Sequence, residues 1–298
     1  MAHDVGENPL RTFLRHRTAY LFLLPAILIL AAFVAMPIID AVVMSLQRVA
    51  LSGERTFAGL QNYRLLFEQP RFLSNFLRSL VYLAGTLMLS VPLGYLAALV
   101  VTSGRQGSRF LRTLFLLPWA MAAVVTALVF RSLVDPVSGP VTLLMAGLTG
   151  GQHYFLVDPG LAMVTLIVHA AWRSFPLVML FLAAGITAIP RQVYEAASLD
   201  GAKGWVLFRH VTLPLTRTPL FIIMLVITAF TLQDAEGVYA LTGGGPGEST
   251  EVLAVRLMRE AFRNLNLGVG SALSLVLLAL GFVVMAAHLL VLRGERRR

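Results

Sequence analysis

Apolar residues in this chain gather in long blocks divided by short polar segments rich in arginine. A helix needs about 20 largely apolar residues to cross roughly 30 Å of hydrocarbon. Six blocks meet that need, near residues 20–43, 80–102, 111–133, 161–189, 220–235 and 269–292. Within hydrocarbon each backbone N–H and C=O must be satisfied inside the segment, so the blocks predict helices. No stretch alternates as barrel strands do. The fifth block is the shortest and carries Thr228, Thr231 and Gln233, which leaves its far end least defined. Pro25, Pro37, Pro92, Pro118 and Pro176 fall inside blocks and predict bends. Between the first two blocks, Phe57, Leu60, Tyr63, Leu66 and Phe67 recur near helical spacing around Arg64 and Glu68, an amphipathic pattern suited to a membrane surface.

Composition agrees. Over 298 residues, 57% are hydrophobic, 13% are charged and mean hydropathy is +0.78. A soluble domain carries about twice that charged fraction. The net charge of +9 comes nearly all from arginine. Because the arginines lie between apolar blocks, they read as orienting charges in a bilayer and not as a nucleic-acid surface. With both termini inside, the inner segments hold Arg11, Arg15 and Arg17, then Arg105, Arg109 and Arg112, then Arg191, Lys203, Arg209 and Arg217, then Arg293 and Arg296. An even number of spans requires that arrangement, although the first outer loop is also arginine-rich. The first block is too long for a signal-peptide core and lacks a clear small-x-small cleavage site, so it reads as an uncleaved span. The expected layout is a cytoplasmic tail over residues 1–18 and one transmembrane domain over 19–298. There are no cysteines, which excludes thiol catalysis and cysteine metal sites. No histidine and carboxylate spacing suggests a metal, and no nucleophile constellation suggests an enzyme.

The segment between the fourth and fifth blocks carries the most information. Residues from Arg191 to Leu199 favour helix, with Pro190 at its opening, where proline is tolerated. Gly201 can take the left-handed conformation that ends a helix. Trp205, Val206 and Phe208 start a second short apolar helix, which Pro214 stops. The result, over about 191–216, is a helix–turn–helix facing the cytoplasm, with small residues at Ala196 and Ala197.

Glu195-Ala196-Ala197, then Gly201 after three residues, then Val211, Leu213 and Pro214, resembles the EAA loop of binding-protein-dependent ABC importer permeases. Gly59-Leu60-Gln61-Asn62-Tyr63 with Leu66-Phe67, Leu116-Leu117-Pro118-Trp119, Trp172 with Pro176, and Ala183-Ala184-Gly185 resemble their carbohydrate branch, the maltose and glycerol phosphate permeases. So does Leu241-Thr242-Gly243-Gly244-Gly245-Pro246 after the fifth block. The chain is similar to the shorter, six-span members. The resemblance implies a type I ABC importer permease (MetI-like) fold in the inner membrane. It implies a second homologous permease, two ATPase subunits and an extracytoplasmic solute-binding protein as partners, and no enzyme activity in this chain. ATP and magnesium would be used by the partner ATPase, since Gly-x4-Gly-Lys-Ser/Thr is absent here. Glu195, Ala196, Ala197, Asp200, Gly201, Trp205, Phe208, Leu213 and Pro214 would form the coupling loop, with Asp200 equally readable as a plain helix-end residue.

Ionisable residues inside spans cost about 2.5–3.5 kcal/mol at the centre and so ask for a reason. Arg173, Asp234 and Glu236 qualify, with His169, Trp172, Gln233 and Tyr239 as polar or aromatic neighbours. They are candidates for a solute pathway. Equally, Arg173 could pair structurally with Asp234 or with the partner permease, and His169 could bond between helices. The glycines from Gly243 to Gly247 read as a flexible loop that meets the binding protein or closes the pore. The expected cargo is a sugar or sugar-like solute, with glycerol 3-phosphate or a polyol as the alternative. An ion-coupled transporter would need a repeat and midplane ion ligands, and neither is evident.

Overall fold

The computed structural model describes residues 17–50, 53–104 and 106–296. Residues 1–16 of the expected tail lie outside the described residues, as do Arg105 and the last two arginines, Arg297 and Arg298; helix has already begun at Arg17. The first span runs as Arg17–Leu30 (α1), one π-helical turn at Ala31–Ala35, and Met36–Ser45 (α2). Pro37 explains that turn. It has no N–H, and its ring crowds the carbonyl one turn back, so the ladder widens just ahead of it. The α2 half packs against the last helix, while Leu21, Phe22 and Phe33 stay exposed.

A small antiparallel hairpin follows, Gln47–Val49 (β1) with Arg55–Phe57 (β2), in the register Arg48 opposite Thr56. The amphipathic segment forms helix Gln61–Glu68 (α3), but only one side of it is covered. Leu66 and Asn62 are buried, whereas Phe57, Leu60 and Phe67 remain exposed. Asn62 donates to the Ser45 and Gln47 carbonyls, both at 2.8 Å, and ties α3 to the end of the first span.

The second span, Pro70–Thr102 (α4), starts ten residues before the predicted 80 because Pro70 opens a helix there. The third is not one straight span. Ser108–Ala120 (α5) and Ala123–Leu133 (α6) meet at 100°. The backbone at Met121 and Ala122 is extended, which ends the first ladder. A short apolar helix, Pro140–Thr149 (α7), precedes the fourth span, Pro159–Thr187 (α8), whose first turn is capped by Asp158 accepting from Leu161 N–H at 2.8 Å.

After α8 come Arg191–Leu199 (α9), Trp205–Leu207 (α10), a π-helical turn Phe208–Thr212 and Leu213–Leu215 (α11). These turn by 69° into the fifth span, Arg217–Leu232 (α12), which stops three residues short of the predicted 235. Ala235–Thr242 (α13) and Leu253–Met258 (α14) lead, through a π turn at Arg259–Arg263, to Leu267–Arg296 (α15). Among the described residues, four helices are long and apolar enough to span alone, and counting each of the two bent pairs as one span brings the number to six.

The frame is the pairing of α4 with α8. Their backbones approach through glycine, as membrane helices do in the absence of a hydrophobic force between them. A β-carbon on Gly94 would lie 2.4 Å from Val178, and one on Gly85 2.7 Å from Ile167. Two apolar cores result. One gathers Leu66, Tyr82, Leu166, Val238 and Leu273 at the end near α13 and α14. The other gathers Tyr95, Val178, Leu182, Ile223 and Phe208 at the end near α9 to α11.

Candidate functional site

The first arm and turn of the α9–α11 hairpin are built as the sequence anticipates, but Pro214 does not stop the second arm: helix runs from Trp205 through a π turn at Phe208–Thr212 to Leu215, because the widened turn just ahead of Pro214 accommodates its missing N–H. Asp200 is the helix cap, and Gly201 follows at φ +84. Ala202 N–H bonds the Ala197 carbonyl at 2.9 Å and Gly201 N–H bonds that of Ser198 at 3.1 Å, the paired closure of a Schellman turn. Nothing lies within 4 Å of a β-carbon placed on Gly201, so backbone conformation alone demands glycine there. Glu195 is exposed and pairs only with the still more exposed Arg191, at 3.1 Å. Such a pair contributes little to stability and exchanges partners readily.

The hairpin residues divide by direction. Phe208 is half-buried, its ring edge-on to Tyr95 at 5.1 Å, and Leu213 packs into the same core. They join the hairpin to α4. Glu195, Ala196, Asp200 and Gly201 face outward, as does Trp205, which is 67% exposed. Leu199, not singled out from sequence, is 90% exposed, and Val206 beside Trp205 is 50% exposed. An outward leucine between Ser198 and Asp200 was a readable signal, since helix ends in water seldom carry one without a contact to make. At the bend into α12, Thr216 is buried, bonds the Thr212 carbonyl at 2.7 Å and contacts the Tyr95 hydroxyl.

A second site lies at the middle of the bundle. Arg173 sits fourteen residues from either end of α8, about 21 Å at 1.5 Å per residue. A cavity of about 370 Å³ opens there, lined by Trp119, Arg173, Ser174, Phe230, Gln233 and Glu236 among others. Two helix breaks meet at it: Met121–Ala122, flanked by the lining residues Trp119 and Ala123, and Gln233–Asp234, where α12 gives way to α13. Broken backbone at such depth is tolerated where it is packed in protein or lines a cavity.

Asp234 holds this region together. Its Oδ1 accepts from Gly237 N–H at 2.9 Å, capping α13, and its Oδ2 accepts from Tyr82 at 2.8 Å and faces Arg173 Nη1 at 3.5 Å. Gly237 makes room: a β-carbon there would lie 2.7 Å from the carboxylate and 3.0 Å from the guanidinium. Of the solute-pathway candidates, the cavity brings together Arg173, Gln233, Asp234 and Glu236. His169 and Trp172 do not line it. The buried His169 is 3.0 Å from the Thr126 hydroxyl, and Phe130 packs against both rings, so the pair seats α6 on α8. Tyr239 is exposed on α13, outside the lining. Tyr82 and Phe230 are not singled out in the sequence, and Trp119 enters there only within Leu116-Leu117-Pro118-Trp119 and not as lining, because an aromatic in an apolar block looks like ordinary packing.

The glycine run is not the flexible loop expected. Thr250 is buried, and its hydroxyl donates to the Gly245 carbonyl at 2.7 Å and lies 2.7 Å from the Thr242 hydroxyl. The buried Glu251 pairs with Arg259 at 2.9 Å, and Glu248 pairs with Arg71 at 2.9 Å. Burial lowers the pKa of Arg256, against the raising influence of Glu260 and Glu251, and its guanidinium bonds Gln69. Gly244, at φ +86, lies against Val255 and Glu251. Left-handed backbone lets the run fold into a tied turn.

These features describe a membrane permease subunit with a surface hairpin at one end and a polar cavity at mid-depth. Residues 90–297 match the family described as binding-protein-dependent transport system inner membrane component, and the chain belongs to that family, the permeases of ABC importers. It is 33% identical over 285 residues to a probable ABC transporter permease protein of Pyrococcus horikoshii, covering 93% of this chain and 96% of that one. The sn-glycerol-3-phosphate transport system permease protein UgpA of Brucella abortus is 32% identical, over 90% of this chain and 92% of its own. The trehalose/maltose transport system permease protein MalF of Thermococcus litoralis is 30% identical, over 93% and 96%. Among solved structures, a bacterial ABC transporter involved in import of the acidic polysaccharide alginate superposes with a TM-score of 0.81 at 19% identity, covering 97% of this chain and 99% of that one. That likeness shows the fold.

Proposed function

We propose that this permease forms half of the pore of a sugar importer, and that its α9–α11 hairpin is the surface pushed by an ATPase subunit. In this reading a second homologous permease completes the pore, two ATPase subunits bind and hydrolyse ATP with magnesium, and an extracytoplasmic binding protein delivers the solute. The hairpin and both termini face the cytoplasm, and the tied glycine turn faces the binding protein. One observation carries the reading: Leu199, Trp205 and Val206 are exposed apolar residues on the same hairpin as the exposed Glu195, and that hairpin is joined to the spans through Phe208. Exposed apolar residues rimmed by polar ones mark a protein contact. Sugar is favoured by the relative named for trehalose and maltose, with glycerol 3-phosphate, for which UgpA is named, as the alternative, and by a cavity that sets Trp119 and Phe230 beside Gln233 and Arg173. Aromatic faces and a few placed polar groups suit a polyhydroxy solute.

The test changes Gly201. Gly201→Val should abolish solute uptake by the assembled transporter while membrane insertion stays normal, because a β-branched residue resists φ +84. Gly201→Asn, which tolerates that conformation, should retain most uptake. Wild-type uptake and ATPase stimulation in the valine variant would overturn the proposal.

A further inference from the structure

The relatives divide between an anionic cargo, glycerol 3-phosphate, and neutral ones, trehalose and maltose. The cavity's own charges bear on that choice. Its ionisable lining is one guanidinium, Arg173, against two carboxylates, Asp234 and Glu236. Arg173 is the group an anionic solute would need, and it is already engaged: Asp234 faces it at 3.5 Å. Asp234 is in turn fixed by Tyr82 and by Gly237 N–H, so the pair is part of the frame.

Glu236 differs. It is exposed at the cavity, and no hydrogen bond or ion pair among the described residues engages its carboxylate. Its place in the first turn of α13 suits a negative charge, yet leaves both oxygens directed at no protein donor. Gln233 is likewise exposed, with a side-chain amide that makes no hydrogen bond among the described residues. Outside the Arg173–Asp234 pair, the polar lining is therefore the Glu236 carboxylate, the Gln233 amide and the Ser174 and Thr231 hydroxyls, beside the indole of Trp119 and the ring of Phe230, and Glu236 is its one charge. In a cleft with low-dielectric walls, a residual negative charge concentrates its field and excludes anions.

We propose that this cavity accepts an uncharged polyhydroxy solute and rejects anionic ones, with Glu236 as the specificity-determining residue. Glu236 and Gln233 hold hydroxyls, while Asp234 is a positioning residue that occupies Arg173. The inference rests on reading the cavity as the solute's path, and the test separates the two.

Trp119 reports on the cavity as the difference in fluorescence between the transporter carrying Trp172→Phe and Trp205→Phe, assembled with its partner subunits in lipid nanodiscs, and the same assembly also carrying Trp119→Phe, which subtracts the partners' tryptophans. Its fluorescence is quenched with neutral acrylamide, cationic caesium and anionic iodide at constant ionic strength. Acrylamide and caesium should quench, and iodide should be about threefold weaker than caesium. Glu236→Gln should bring iodide to near parity and leave acrylamide unchanged, whereas Glu236→Asp should keep the discrimination. Maltose should shield Trp119 from acrylamide, and sn-glycerol 3-phosphate at equal concentration should not. Failure of acrylamide to reach Trp119 would defeat the solute-path reading and this proposal with it. Access for acrylamide with equal quenching by iodide and caesium would leave that reading standing and overturn the proposal. Shielding by glycerol 3-phosphate equal to or above that by maltose, or by neither solute, would overturn it too.

Discussion

Asn62 shows how much one side chain settles in a membrane protein. Its amide donates to two carbonyls left over where the first span ends, and Gly268 makes the space, since a β-carbon there would lie 2.5 Å from the Gln47 carbonyl. Buried carbonyls without donors are costly. Asn62→Ala should therefore lower stability by about 2 kcal/mol, two hydrogen bonds' worth, seen as a lower thermal midpoint in detergent. Asn62→Asp should do worse, because it sets a carboxylate against two carbonyl oxygens. An unchanged midpoint in both variants would remove Asn62 from this role. Gly237 is a second such position. Gly237→Ala crowds Asp234 and Arg173 together and should destabilise by about 1–3 kcal/mol. Removing the opposing hydroxyl with Tyr82→Phe should not relieve it, because the clash is with the carboxylate and guanidinium.

At the scale of elements, the α4–α8 crossing makes a coupled prediction. Gly94→Ala brings a methyl within 2.4 Å of Val178, an overpacking expected to cost about 1–3 kcal/mol. Val178→Gly in the same chain, which removes the β-carbon that the methyl meets, should recover part of the loss. A double-mutant cycle measures this, and strict additivity would show that the helices do not meet there. The sequence disclosed these helices well, because long apolar blocks have one solution in hydrocarbon. It disclosed the first arm and the turn of the α9–α11 hairpin, because Pro190 and Gly201 punctuate them locally, but Pro214 lies inside the second arm instead of ending it. It disclosed a bend in the third block, at Pro118, and an undefined far end to the fifth, but neither the 100° size and Met121–Ala122 position of the break between α5 and α6 nor the stop of α12 at Leu232. Met121 and Ala122 are ordinary apolar residues, and Gln233–Asp234 signals polarity but not the end of a ladder. Both breaks depend on what the neighbouring helices offer. The cavity was half legible for the same reason: charged residues stand out in an apolar block, while Trp119 and Phe230 become lining only through the bends.

At the scale of the molecule, the hairpin and the cavity belong to one continuous run of chain. The outward hairpin face is the part a partner must touch. Leu199→Glu should weaken co-purification of the ATPase subunits by about tenfold, as expected for loss of an apolar contact worth roughly 1.4 kcal/mol or more. The thermal midpoint of the isolated permease should stay within about 0.5 kcal/mol of wild type, because the side chain is 90% exposed. Undiminished co-purification would move the docking face elsewhere. Fluorescence of Trp205 should also shift to the blue on assembly as its indole leaves water.

The length of α12 sets the gearing of such a machine. Sixteen residues make a rod of about 24 Å, so the helix that starts at the hairpin ends on the rim of the mid-membrane chamber, with Phe230, Thr231 and Gln233 at its tip. A full-length span would carry a stroke past the cargo to the far surface. On the proposed reading this truncated one would deliver it to the cargo's doorstep, through an elbow where the buried Thr216 bonds the Thr212 carbonyl. Play introduced at that elbow would let the motor fire while the chamber stood still, consuming fuel without moving freight.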